Sequence, residues 1–218
     1  AGQALAVYAA AERLSCYNCR FTGWQDTIFN GDPMTCNMKK LMLPDFFQAS
    51  EVPIVHKFYR NYFKDCYVCG DVDYIFGPNT AFFDHCEIHS IARVSEGKAY
   101  ITAASTPAGQ EFGLVFSHCR ITGEEPDSVY LGRPWRDCAK TAFICCELGD
   151  HICPEGWQNW GKVRAEVLSD YIEYGNFGPG ADCSGRSPLS RCLVNPEVET
   201  YFSKENVLVG EDGWIPAE

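Results

Sequence analysis

Five short phrases along this chain carry one pattern, and that pattern narrows the folds open to it. Asn18-Cys19-Arg20-Phe21, Asp65-Cys66-Tyr67-Val68, His85-Cys86-Glu87-Ile88, His118-Cys119-Arg120-Ile121 and Cys145-Cys146-Glu147-Leu148 each run polar or small residue, cysteine, variable residue, apolar residue. Their cysteines stand 47, 20, 33 and 27 residues apart. A short unit recurring at unequal intervals describes a solenoid whose coils carry loops of different length. Cysteine and apolar residue are two apart, so on a strand they share a face. Stacked coils would then line the thiols up as small buried hydrophobes.

The other strand candidates fit the same scheme. Ala81-Phe82-Phe83, Lys98-Ala99-Tyr100-Ile101-Thr102, Gly113-Leu114-Val115-Phe116, Ser128-Val129-Tyr130-Leu131 and Thr141-Ala142-Phe143-Ile144 are short, aromatic or β-branched, and separated by Gly, Pro and Asn. Helical periodicity is weak outside residues 2–14, whose Ala-rich sequence suits helix or buried coil. The expectation is an all-β solenoid, a single domain over residues 1–218 with no interdomain linker. Residues 30–56, with Pro33, Pro44 and Pro53, are expected to form an inserted surface loop between coils. From about residue 164 the chain is Gly/Pro-rich, which predicts an irregular C-terminal cap.

Thirteen cysteines, an odd number, cannot all close into disulfides. Cys16/Cys19 and Cys66/Cys69 have the spacing of a zinc ribbon, but residues three apart on a strand point to opposite faces. The repeat reading therefore takes them as core. A formal charge of -11 without a Lys/Arg block excludes a nucleic-acid phosphate backbone as partner. No apolar run has the length needed to span a bilayer. The chain opens Ala-Gly-Gln-Ala-Leu without an initiator Met, as expected of a piece of a longer polypeptide whose targeting signals lie elsewhere.

Two aspartates stand in near-matching phrases, Asp26 in Gly-Trp-Gln-Asp-Thr-Ile-Phe and Asp73 in Gly-Asp-Val-Asp-Tyr-Ile-Phe-Gly. Each lies among glycines and aromatics, where a carboxylate is partly desolvated. Two such groups meeting in space push their pKa values apart, leaving one protonated and one ionised near neutral pH. A third phrase, Leu131-Gly132-Arg133-Pro134-Trp135, adds a cation and a large aromatic. No Gly-x-Ser-x-Gly elbow is present, and the histidines at 56, 85, 89, 118 and 151 read as strand or surface residues.

Taken in order, these phrases resemble the pectin methylesterases (pectinesterases). Gly2-Gln3-Ala4-Leu5-Ala6 is similar to that family's Gln-Ala-Val-Ala-Leu segment, and Gln25-Asp26-Thr27 matches its Gln-Asp-Thr motif. Asp73-Tyr74-Ile75-Phe76-Gly77 resembles Asp-Phe-Ile-Phe-Gly, and Leu131-Gly132-Arg133-Pro134-Trp135 is identical to the family's form. Gly156-Trp157-Gln158-Asn159-Trp160 and Tyr174-Gly175-Asn176-Phe177-Gly178-Pro179-Gly180-Ala181 look like its C-terminal pattern, so the likeness runs over essentially the whole chain. It implies a right-handed single-stranded parallel β-helix, here lacking its first coils because the upstream glycine-tyrosine-glutamate motif is absent. Asp26 and Asp73 stand 47 residues apart, further than in many members, and the 30–56 insertion accounts for the excess.

The resemblance also implies roles. Asp73 would be the nucleophile, with Arg133 holding it ionised; Asp26 would be the acid and then the base; Gln3 and Gln25 would stabilise the oxyanion. Trp135, Phe76, Phe29 and Val72 would contact the sugar, while Trp157 and Trp160 read at least as well as core or cap as they do as substrate contacts. The implied substrate is pectin (methyl-esterified homogalacturonan), attacked by a monomer without metal or other cofactor. Other readings keep the fold and change the chemistry. They are a Ca²⁺-dependent lyase, a glycosidase, and a non-catalytic carbohydrate-binding solenoid or inactive fragment. The expected location is secreted or cell-envelope, although the thiol load also suits a reducing cytoplasm.

Overall fold

The computed structural model describes residues 2–31, 59–93 and 95–217. The loop expected over 30–56 therefore lies outside the described residues, except for Asn30 and Gly31 at its start.

The chain winds through three sheets in turn, laying one short strand in each per coil. The first described coil is β1 (Val7–Tyr8), β2 (Leu14–Tyr17) and β3 (Arg20–Thr22). The second is β4 (Ile28–Phe29), β5 (Arg60–Lys64) and β6 (Tyr67–Gly70). The third is β7 (Val72–Gly77), β8 (Thr80–Asp84) and β9 (Glu87–Ser90). The fourth is β10 (Ala99–Ala104), β11 (Leu114–Ser117) and β12 (Arg120–Gly123), and the fifth β13 (Val129–Gly132), β14 (Lys140–Ile144) and β15 (Glu147–Leu148). Every third strand joins the same sheet and every pairing is parallel, which makes a right-handed parallel β-helix.

The register explains the cysteine intervals. In the third sheet Arg20 pairs with Tyr67, Tyr67 with Glu87, Glu87 with Arg120 and Arg120 with Glu147, the same steps that separate the cysteines. Each interval is the length of one coil.

The repeat is a corner signature. Asn18, Asp65, His85, His118 and Cys145 have φ of 51, 52, 52, 54 and 53°, the left-handed region that Asn, Asp and His enter most readily among side-chain-bearing residues. The cysteine that follows stands at the corner, one residue before the third-sheet strand rather than within it. Cys66, Cys86, Cys119 and Cys146 are nonetheless buried, as are Val68, Ile88, Ile121 and Leu148 two residues on. Each of the last three thiols also reaches the coil below: Cys86 Sγ donates to Phe63 O, Cys119 to Phe83 O and Cys146 to Phe116 O at 3.3, 3.3 and 3.5 Å. The sixth corner carries no cysteine. Gly175 takes the left-handed position with φ 62°, and Asn176 Oδ1 accepts from the Cys146 amide at 2.9 Å.

Inside the second sheet Phe63, Phe83, Phe116 and Phe143 stack with centroids 4.7, 4.7 and 4.5 Å apart and nearly parallel rings. Such pairs add roughly 0.5–1.5 kcal/mol each beyond their burial. Trp157 and Tyr171 extend the column, their rings 4.2 Å apart, so Trp157 is core.

The region after residue 164 is more regular than its Gly and Pro content suggests. After α1 (Ala165–Leu168) come β16 (Asp170–Tyr174) and β17 (Ser190–Leu193), two more strands of the second sheet. Residues 175–188 between them hold most of the Gly and Pro that conceal the rungs. Then α2 (Glu197–Tyr201) and α3 (Lys204–Leu208) fold back, burying Val207 and Leu208 against Tyr62, Phe82 and Ile172 on that sheet's outer face. A disulfide joins Cys183 to Cys192.

The last coil also holds a buried ion pair. Arg186 Nε and Nη2 donate to Glu173 Oε1 and Oε2 at 2.9 and 3.0 Å, and Trp157 Nε1 donates to the same Oε1 at 2.9 Å. The two side chains are 4% and 2% exposed, so removing one charge strands the other without water. Glu173→Gln is expected to lower stability by about 3–5 kcal/mol, read as a reduced urea midpoint; an unchanged midpoint would show that the pair contributes nothing to stability.

Candidate functional site

Asp26 and Asp73 meet because coil stacking makes them equivalent. Ile28 pairs with Ile75 and Phe29 with Phe76, and the same offset superposes the two aspartates on adjacent coils. The Asp26 amide donates to Val72 O at 3.1 Å, locking the turn before β4 onto β7. Both aspartates adopt positive φ, 66° for Asp26 and 50° for Asp73, a conformation that costs energy outside glycine and concentrates at functional positions.

At Asp73 a bulge sets the direction of the side chains. Val72 pairs with Tyr100 and Ile75 with Thr102, so Asp73 and Tyr74 together oppose the single residue Ile101. Tyr74 and Ile75 both belong to the interior core, and the Tyr74 hydroxyl meets Ser90 Oγ at 2.9 Å. Asp73 is released to the outer face, where it meets Arg133. Strict alternation could not give two inward residues between two outward ones.

Arg133 follows β13 two coils away. Its Nε and Nη2 donate to Asp73 Oδ1 and Oδ2 at 2.8 and 2.7 Å, a bidentate fork. The guanidinium carbon lies 3.8 Å from the Tyr100 ring centroid and 3.7 Å from that of Trp160, so two aromatic rings fix its plane. Gly132 is required just before it: a β-carbon there would stand 2.1 Å from Thr102 Oγ1. That hydroxyl donates to Leu131 O, and the Arg133 amide donates to Thr102 O.

The electrostatics separate the two carboxyls. Burial, then the Asp73 charge, push Asp26 up to about 7, against smaller opposing effects of Arg133 and a side-chain hydrogen bond from Gln3. Burial also lifts Asp73, but the Arg133 fork is the principal force pulling it back, with Lys162 and Arg93 adding to it. A guanidinium does not give up its proton, so the fork favours an ionised Asp73. The result is a fork-held Asp73 beside an Asp26 whose pKa is pushed up to about 7.

The other residues singled out in the sequence fall around this pair. Gln3 reaches Asp26, and the Gln25 backbone carbonyl accepts from the Ala4 amide at 3.3 Å, which lays the segment carrying Gln3 along the turn before β4. Val72 is buried beside Asp73. Phe29, Phe76 and Trp135 form an aromatic cluster with Tyr8 and Trp160 on the outer face, the Phe76 and Trp135 rings 5.6 Å apart. Trp135 keeps exposed surface, whereas Phe29 has none: Tyr8, Phe76 and Trp135 pack around it. Phe29 is thus a support for the aromatic platform rather than a contact surface.

Three participants are not legible as such in the sequence. Tyr100 reads there as one more strand aromatic, Trp160 as core or cap, and Lys162 not at all. Lys162 Nζ donates to Trp135 O at 3.0 Å and lies 4.4 Å from the Trp160 centroid, joining the two tryptophans. Only the adjacency of coils shows that Trp160 covers Arg133.

A carboxylate in a guanidinium fork beside an acid of matched pKa, with the Gln3 side chain hydrogen-bonded to that acid, suits acyl transfer. The family model named Pectinesterase matches residues 48–211. Pectinesterase 31 of Arabidopsis thaliana is 37% identical over 198 residues, which are 90% of this chain and 53% of that protein. The solved pectin methylesterase from carrot superposes with a TM-score of 0.71 at 25% identity, covering 91% of this chain and 57% of that one. A pectin methylesterase solved in complex with a hexasaccharide gives 0.64 at 26% identity, covering 93% and 58%. The chain spans about half the length of the curated relatives it matches. With the β-helix and the ordered motifs, the extent of these matches establishes that the chain belongs to the pectinesterase family.

Proposed function

We propose that this chain carries the active site of a carboxylic ester hydrolase that removes methyl esters from pectin and releases methanol. The observation that carries this reading is the Arg133 fork on Asp73 beside an Asp26 whose pKa stands at about 7. Asp73 attacks the ester carbonyl carbon, and the oxyanion that forms accepts hydrogen bonds from the Gln25 and Gln3 amides. As the C–O bond to methoxide breaks, Asp26 delivers its proton and methanol leaves. The acyl group then rests on Asp73 as an anhydride. Ionised Asp26 draws a proton from water, the hydroxide attacks the acyl carbon, and the Asp73 carboxylate is expelled. Atoms and protons balance: one ester and one water give one acid and one methanol, and both aspartates return to their starting forms.

Trp135, with Phe76 beside it, offers an apolar face to a pyranose ring, which fits a polysaccharide substrate and accords with the hexasaccharide bound by a structural neighbour. The Cys183–Cys192 disulfide suits a secreted or cell-envelope location. No described helix is long and apolar enough to cross a membrane.

Asp73→Asn is expected to reduce methanol release from pectin by on the order of 10⁴-fold or more, with the far-ultraviolet circular dichroism unchanged; full activity would remove Asp73 as nucleophile. Release of new reducing ends without methanol would instead favour a glycosidase on the same fold. In the productive form Asp26 is protonated and Asp73 ionised, so kcat/KM should rise with Asp73 ionisation and fall above about pH 7, where Asp26 loses its proton. Arg133→Lys keeps the charge and loses the fork. It is expected to lower kcat and to displace the acid limb, since a point charge orients the carboxylate less firmly; a pH–rate profile superimposable on the parent would contradict this.

A further inference from the structure

The corners between the second and third sheets place unlike side chains in one column on the outside of the solenoid. His85, His118 and Cys145 occupy the left-handed position on successive coils, and Gly175 follows. Across from His118, Glu199 projects from α2, its Oε1 3.7 Å from His118 Nε2. The donor atoms of His118, Cys145 and Glu199 all lie within 4.8 Å of one another.

The 3.7 Å between His118 Nε2 and Glu199 Oε1 suits two ligands of one cation better than hydrogen-bond partners. A direct nitrogen–oxygen hydrogen bond stands nearer ~2.9 Å. Ligands held ~2.0–2.3 Å from a tetrahedral cation lie roughly 3.3–3.8 Å from each other. The His118 ring is oriented as a ligand would be, its Nδ1 lying 3.0 Å from Ser117 Oγ. A proton on Nδ1 donated to that hydroxyl leaves the Nε2 lone pair toward Glu199 and Cys145. At Gly175 a β-carbon would stand 3.0 Å from Cys145 Sγ, so glycine keeps that side of the thiol open.

We propose that His118 Nε2, Cys145 Sγ and the Glu199 carboxylate form a three-ligand site for a divalent cation of borderline softness, Zn²⁺ by its nitrogen, sulfur and oxygen donors, with water as the fourth ligand. As the metal–sulfur bond forms, the thiol proton passes to solvent. The site ties α2 to two adjacent coils and lies on a different sheet corner from Asp26 and Asp73. His85 stays outside it: its ring is stacked parallel on His118 at 5.2 Å, and its Nδ1 is engaged by Asp84.

The test is titration of the metal-free, folded chain with ZnCl₂ by calorimetry and with CoCl₂ by absorbance. One equivalent of Co²⁺ should give a thiolate-to-metal charge-transfer band. Cys145→Ser should abolish the band; His118→Ala and Glu199→Gln should weaken Zn²⁺ binding by at least roughly tenfold, and Ser117→Ala by roughly 10–100-fold as an orienting contact is lost. All four variants should keep the parent circular dichroism, and Zn²⁺ should raise the Tm of the parent but not of Cys145→Ser. Absence of stoichiometric binding to the parent overturns the proposal, and so does a band or affinity indifferent to Cys145→Ser and His118→Ala.

Discussion

The parallel hydrogen-bond ladder between coils is the constraint from which the rest of this molecule follows. Once Tyr67 pairs with Glu87 and Phe63 with Phe83, every position on a coil has a fixed neighbour above and below. A slip of one residue would turn the interior phenylalanines outward, so the register is held by the buried column itself. The left-handed corners keep that register in spite of loops of very different length. Each returns the chain to the third sheet at the same angle, and the Cys86 and Cys119 thiols cap carbonyls of the preceding coil.

The site is a consequence of this stacking with one local departure. Regular rungs place Asp26 over Asp73, while the bulge at Asp73 and the close approach of Gly132 to Thr102 bring Asp73 and Arg133 into bidentate contact. Aromatic rings lie against the guanidinium and hold the plane of the fork. Low local polarity then acts differently on the two acids. Burial raises both, the fork opposes that rise at Asp73, and Asp26, which has no fork, is pushed up to about 7.

Outside the groove the same regularity has another effect. Corners that must be left-handed accept Asn, Asp, His, Gly and here Cys, residue types that include metal ligands and hydrogen-bonding groups. Stacking then collects them into columns without any site having been specified as a cluster in the sequence. His118 and Cys145 come together in this way, and the helix that folds back over the second sheet brings Glu199 to them.

The sequence by itself determined the periodic part of this protein. Cysteine intervals equal coil lengths because a corner recurs once per coil, and the phrases around Asp26, Asp73 and Arg133 are visible because each occupies a turn or strand end with few tolerated residues. Sequence reading fails where local composition and tertiary role diverge: Gly and Pro conceal β16 and β17, which exist because an existing sheet edge templates them. Phe29 has the look of a contact surface in its motif, yet its neighbours enclose it. Trp160 over Arg133, Tyr100 against it and the Glu173–Arg186 pair were decided only by the tertiary structure. The physical reason is that these contacts join coils through loops of unequal length, and no local pattern encodes which side chain a loop delivers to its neighbour.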